Sequence, residues 1–84
     1  GWEGDEQWAP MIPGFPGRLS WARFLGSAID YIVFDGSDDK HIESVTFVEV
    51  KSGESSLSAQ ERHLRDAVQA GNVRWVEHRV DREP

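Results

Sequence analysis

The sequence has no cysteine, no long hydrophobic run and few basic residues. Without cysteine there are no disulfides and no thiolate metal sites, so packing, hydrogen bonds and ionic contacts must hold the fold. The apolar stretches are far shorter than the ~20 residues that cross a bilayer, and no signal peptide is recognisable. We therefore expect no membrane segment and a cytoplasmic location.

The scarcity of basic residues bears on possible partners. Lys and Arg total 9 against 15 Asp and Glu, which gives a formal net charge of −6. Proteins that coat nucleic acid nonspecifically use Lys and Arg against phosphate, so this class is disfavoured. A site for a divalent cation remains compatible with the acidic balance, because its carboxylate ligands add negative charge.

The chain is also short. Its 84 residues suffice for one domain, spanning 1–84, and only 38% of them are hydrophobic. A chain of this size buries only roughly 60% of its unfolded surface. Large rings partly compensate, and the sequence has four tryptophans: Trp2, Trp8, Trp21 and Trp75. We expect a homo-oligomer with some of these rings in an interface.

The first half of the chain predicts an irregular arm followed by a hairpin. Residues 1–27 carry repeated proline and glycine and read as irregular, with a short helix near residues 5–9. Residues 28–35 (AIDYIVFD) and 42–51 (IESVTFVEVK) have strand composition. Because the polar turn 36–39 joins them, the two strands should pair antiparallel.

The second half predicts a helix and a last strand. Ser58 and Glu61 fit a capping box, and the helix should run from about residue 59 to 70, ending at Gly71. Its spacing places Gln60 on the face that carries Leu64, Ala67 and Val68. Residues 73–79 (VRWVEHR) predict a further strand.

The resulting order is loop, β, β, α, β. It predicts an α/β domain with a small mixed sheet, made of an irregular arm at 1–27 and a core at 28–80. The second strand, the helix and the last strand form a crossover unit, which should be right-handed if those two strands are parallel.

Charged residues interrupt the two apolar strands. Asp30 lies within AIDYIV, and Glu49 and Lys51 lie within FVEVK. Residues two apart on a strand share a face, so Glu49 and Lys51 should lie together, with Asp30 on the paired strand beside them. A charge removed from water must be paired or bind a metal ion. These three residues therefore predict one site.

That site suits phosphodiester hydrolysis. The carboxylates of Asp30 and Glu49, with the Val50 carbonyl, can hold a hard divalent ion through oxygen. Such an ion polarises a phosphate, and Lys51 can orient water or stabilise developing charge; the sequence leaves both roles open. The alternative is a structural ion pair on solvent-facing positions. Gln60, which faces the sheet in this prediction, can belong to the same site or be an ordinary residue of the first turn of the helix.

At this point an ordered series of motifs carries a resemblance. It comprises PGFP at 13–16, ARFLGS at 22–27, Asp30, FDG at 34–36, VEVKSG at 48–53, LSAQ at 57–60 and GNV at 71–73. The series resembles the PD-(D/E)XK nuclease superfamily and, more closely, the small endonucleases related to archaeal Holliday junction resolvases. The resemblance covers about residues 10–80.

The resemblance implies a minimal restriction-endonuclease-like fold and a metal-dependent endonuclease that hydrolyses DNA, with branched DNA among its candidate substrates. Asp30 and Glu49 would be ligands of Mg²⁺ or Mn²⁺, and Lys51 would be the catalytic lysine. Gln60 resembles a glutamine that some members place on the helix after the lysine strand. It could hydrogen-bond Lys51, a water on the metal or DNA.

One departure from the superfamily is visible. Members usually begin with a full helix that often adds a catalytic acid, and this sequence leaves little room for one. Glu3, Asp5 or Glu6, or a neighbouring subunit, would have to substitute. Two other functions stay open: a catalytically weak nucleic-acid-binding module that keeps the fold, and an assembly protein whose tryptophan-rich start drives oligomerisation.

Overall fold

A three-stranded antiparallel sheet and one α-helix make up the regular structure of the computed structural model, which describes residues 5–81. The strands lie in the order β1-β2-β3, with β1 at Ala22–Ser27, β2 at Ile29–Asp35 and β3 at Ser44–Val48. The helix α1 spans Ala59–Gln69. Short 3₁₀ helices lie at Asp5–Met11, Leu19–Trp21 and Ser37–Asp39. This arrangement is compatible with the predicted α/β class.

The predicted hairpin is confirmed. Strands β2 and β3 pair antiparallel, with Tyr31 opposite Val48 and Asp35 opposite Ser44. The turn between them requires glycine at position 36, where φ is +94° and a Cβ would collide with the His41 carbonyl oxygen. The turn chemistry and the strand pattern therefore select the same register.

Two expectations about the sheet and its N-terminal side are corrected. Residues 22–27 were expected to be irregular but form β1, which pairs with β2 through Ala22 opposite Val33. The segment has no β-branched residue, so its strand conformation depends on the edge that β2 offers rather than on its own propensity. The helix predicted near residues 5–9 is a 3₁₀ helix that includes Pro10.

The central strand β2 supplies the largest buried side chains among the described residues. Tyr31 and Val33 are 2% and 0% exposed. The rings of Phe15 and Phe24 pack edge-on against Tyr31, each with centroids 5.3 Å away. Gly17 lies so close to Val33 that a Cβ there would stand 2.6 Å from its Cγ1. The core therefore depends on two β2 side chains and on the arm that covers them.

The helix prediction is confirmed in its details. The Ser58 hydroxyl accepts from the Glu61 N–H at 3.2 Å, and the Glu61 carboxylate accepts from the Ser58 N–H at 2.8 Å. Gly71 follows the helix with φ of +78°. Together they fix both ends of α1. None of the helices in residues 5–81 is long and apolar enough to cross a membrane.

The last predicted strand, at residues 73–79, is wrong. Residues 73–81 carry no regular structure and are exposed, with Trp75 84% accessible. An alternating apolar pattern gives strand propensity, but a strand also needs a partner. Within the described residues this segment pairs with no strand, although β1 and β3 each leave one edge of the sheet open. The crossover unit is therefore absent there and the sheet is antiparallel rather than mixed. The predicted homo-oligomer stays a prediction.

We expect Val33→Ala to lower the free energy of unfolding by about 2 kcal/mol, because it leaves a cavity beneath Gly17 in a core that has few other buried side chains among the described residues. Val45→Ala is the matched control, since Val45 is on β3 but 47% exposed; its cost should stay below about 0.5 kcal/mol. Urea unfolding measures both. Equal losses would show that the core does not centre on Val33.

Candidate functional site

Asp30 anchors the site at the start of β2. It is 8% exposed, so its carboxylate needs a partner to replace water. The Val50 backbone N–H supplies one, donating to Asp30 Oδ2 at 2.9 Å. Because Tyr31 pairs with Val48, the same register continued by one residue places Asp30 opposite Glu49. The charge of Asp30 also acts on Glu49, which indicates that the two carboxylates lie near each other.

Glu49 and Lys51 follow β3 instead of lying within it, which corrects the predicted strand bounds. The strand ends at Val48, and two residues later the Val50 backbone N–H donates to the Asp30 carboxylate. The two side chains still point the same way, since Lys51 Nζ lies 3.3 Å from Glu49 Oε2. Glu49 and Lys51 therefore lie together as expected, although not within the expected strand.

Glu61 is the fourth charged residue of the site, and sequence reasoning assigned it only a capping role. Lys51 Nζ lies 3.0 Å from Glu61 Oε1, closer than it lies to Glu49. A signal was available in the spacing. Glu61, Leu64 and Val68 are separated by three and four residues and so share the face of α1 that meets the sheet.

Gln60 is placed differently from its expected orientation. It is exposed and does not line the cleft between α1 and the sheet, whereas Glu61 does. Glu61, the next residue in the first turn of the helix, therefore contacts Lys51 in place of Gln60. A catalytic role for Gln60 stays a prediction.

A cleft of about 200 Å³ separates α1 from the sheet beside these charges. Apolar side chains from both sides line most of it: Ile29, Phe47, Leu57, Leu64 and Val68. Glu49 and Glu61 also line the cleft. The carboxylate of Glu49 is therefore partly withdrawn from water by apolar neighbours, with its charged partners close by.

This environment changes the proton affinities of the site. Burial, followed by the neighbouring Glu61 carboxylate, raises the pKa of Glu49 to about 7, although Lys51 acts in the opposite direction. The charge of Asp30 adds to the increase. The Ser58 N–H, followed by Glu49 and Lys51, lowers the pKa of Glu61 to about 2. Contact with Glu61 raises the pKa of Lys51 above its usual value.

The donor set fits a hard divalent ion. Asp30 and Glu49 offer carboxylate oxygens and Val50 a backbone carbonyl, and Mg²⁺ is commonly held by one or two carboxylates with waters. A cation would also offset the burial and like-charge repulsion that raise the pKa of Glu49. Among residues 5–81 there is no cluster of three or more acidic, histidine or cysteine side chains arranged around one metal position. The candidates Glu3, Asp5 and Glu6 lie outside the described side chains.

Residues 3–80 of the chain match the family described as endonucleases related to archaeal Holliday junction resolvases. The chain belongs to this family. The match confirms the resemblance carried by the sequence motifs, and it includes every residue of the site described above. No curated protein and no solved structure matches the chain. Membership of the endonuclease family indicates a nuclease that acts on nucleic acid.

The unusual titration of Glu49 can be measured directly. We expect its side-chain carbon to titrate near pH 7 by ¹³C NMR in metal-free protein. Lys51→Met should move the midpoint higher, because Lys51 lowers the pKa of Glu49. The control is Lys40→Met, which changes the other lysine of the chain and should leave the midpoint unchanged.

The same shift predicts a pH dependence of stability. The folded-state pKa of Glu49, about 7, is above its usual 4.5, so the folded protein binds this proton more tightly than the unfolded chain. Glu49 therefore contributes stability that is fully present below pH 4.5 and is lost as the pH rises through about 7. A Glu49 midpoint near pH 4.5 would contradict both predictions.

Proposed function

We propose that this chain is a divalent-metal-dependent endonuclease that hydrolyses DNA phosphodiester bonds. The site would be of the PD-(D/E)XK type, on a minimal restriction-endonuclease-like fold. One observation carries the proposal. The Val50 N–H bond to Asp30 holds the chain after β3 beside β2, where Glu49 and Lys51 contact each other, in a member of an endonuclease family.

Asp30 and Glu49 would hold Mg²⁺ or Mn²⁺ together with the Val50 carbonyl. When bound, the ion would polarise the scissile phosphodiester and make a hydroxide nucleophile accessible near neutral pH. Glu49 must lose its proton to act as a ligand, and its pKa of about 7 means that this proton is released near physiological pH.

Lys51 supplies the positive charge that the protein itself brings to the reaction. Its ammonium lies beside Glu49, where it can donate to a phosphate oxygen and stabilise the charge that develops in the transition state. It can equally donate to the attacking water and orient it. Gln60, in the first turn of α1, is a candidate for contact with DNA from the exposed side.

A homo-oligomer would place two sites on one substrate, which suits a branched DNA. The exposed apolar side chains support this part of the proposal. Trp8 is 62% exposed and Trp75 84%, and exposed rings of this size are typical of interfaces. An oligomeric assembly module that keeps the fold but cleaves poorly is the second candidate function, favoured by the same exposed residues.

Cleavage of labelled branched, duplex and single-stranded DNA with Mg²⁺ or Mn²⁺ tests the proposal. We expect metal-dependent cleavage by the wild type, and a loss of at least about 100-fold in Glu49→Gln, because it removes a charged oxygen ligand. Asp30→Asn should lose as much. It keeps an acceptor for the Val50 N–H, so the fold is expected to survive.

Glu43→Gln is the matched control. Glu43 precedes β3 as Glu49 follows it, and it is exposed, so its loss should leave cleavage within about twofold of wild type. Equal activity of the wild type and Glu49→Gln, or no cleavage of any substrate by the wild type, would contradict the enzymatic function. Concentration-dependent assembly without cleavage would support the second candidate.

A further inference from the structure

We propose that Glu61 is a positioning residue for Lys51: it holds the ammonium beside the site when Glu49 is engaged by the cation. The inference rests on the proposed function, in which Glu49 is a metal ligand and Lys51 acts on the phosphate. It assigns to the first turn of α1 a part in the reaction in addition to its capping role.

The first step of the argument is competition for Glu49. Lys51 contacts two carboxylates, with Nζ at 3.3 Å from Glu49 and 3.0 Å from Glu61. A divalent cation on Glu49 would withdraw electron density from that contact and repel the ammonium. A lysine has a long flexible stem, so an ammonium left with no second partner would move away into solvent. Glu61 is the partner that remains.

The second step is that Glu61 is itself fixed. Its Oε1 accepts from the Ser58 N–H at 2.8 Å and also receives Lys51, while the Glu61 N–H donates to the Ser58 hydroxyl at 3.2 Å. The reciprocal capping box thus locks the side chain in one orientation. A carboxylate oriented before the cation arrives loses little freedom when it holds Lys51.

The third step is the charge. In its first-turn position at the N-terminus of α1, Glu61 is stabilised as an anion by the helix dipole and the Ser58 N–H. With the cation bound, Asp30 and Glu49 balance its two positive charges, and Glu61 balances Lys51. The arrangement would be neutral overall, so no unpaired charge would lie next to the apolar cleft.

Two substitutions separate positioning from capping. Glu61→Gln keeps a residue that completes the capping box but removes the charge that holds Lys51. Ser58→Ala removes the hydroxyl cap and leaves the contact between Lys51 and Glu61. The first readout needs no metal or DNA: the ¹⁵N NMR order parameter of the Lys51 ammonium, measured in a Glu49→Gln background that removes the other charged partner of Lys51. The second is the cleavage rate with saturating Mn²⁺, divided into kcat and KM.

We expect Glu61→Gln to lower the order parameter of the Lys51 ammonium and to reduce kcat by about tenfold, with the KM for DNA changed less than about twofold. We expect Ser58→Ala to lower thermal stability but to keep the order parameter and kcat near those of the wild type. This contrast would not arise from a merely structural role, which predicts the larger effect for the lost cap.

The proposal is overturned if Glu61→Gln leaves the order parameter and kcat unchanged, or if both variants lose them equally. Failure of the proposed function is recognised separately. If the wild type cleaves no DNA, the nuclease assignment fails, and Glu61 then has no role in catalysis. The order parameter in metal-free protein is independent of that result and still shows whether Glu61 fixes Lys51.

Discussion

The placement of one buried carboxylate in the central strand constrains the rest of the site. Asp30 lies on β2 and is 8% exposed, so the free energy of withdrawing its carboxylate from water must be offset by a hydrogen-bond donor. The donor is the backbone N–H of Val50, which lies two residues after the end of β3. Since backbone rather than a side chain makes this bond, it fixes the path of the residues on either side. The positions of Glu49 and Lys51 are then set as well, because they flank Val50 and their side chains lie on the same side of the chain.

The crowding of carboxylates follows from that path. Glu49 comes to lie between the apolar cleft and two other acids, Asp30 and Glu61, and burial raises its pKa to about 7. Lys51 relieves part of the repulsion by contacting Glu49 and Glu61. The ionic contacts also link α1 to the end of β3, across a cleft that apolar packing does not fill. The contacts of Lys51 that link the helix to the end of β3 are therefore also the contacts that set the electrostatics of the site.

What could be predicted from the sequence was determined by local rules. The β2–β3 hairpin follows from strand composition on either side of a glycine turn, and α1 follows from its capping residues. The grouping of Asp30, Glu49 and Lys51 followed from charges that interrupt apolar strands. The predictions that were wrong concern segments whose structure depends on contacts with distant parts of the chain. Segment 22–27 forms a strand by pairing with β2, and segment 73–79 pairs with no strand among the described residues although its composition favours one. Glu61 was missed because its capping role already explained it.

A site that concentrates negative charge in a small fold couples stability to ligand binding. Among the residues that the structure describes, the only buried apolar side chains are Ala9, Tyr31 and Val33, so little apolar burial offsets the carboxylate repulsion there. Anything that binds the folded state and neutralises those charges shifts the folding equilibrium toward it. A divalent cation between Asp30 and Glu49 would do so, and it would free Lys51 from Glu49 at the same time. The repulsion that weakens the metal-free fold would then favour binding of a cation, and the contact between Lys51 and Glu61 would keep the lysine at the site.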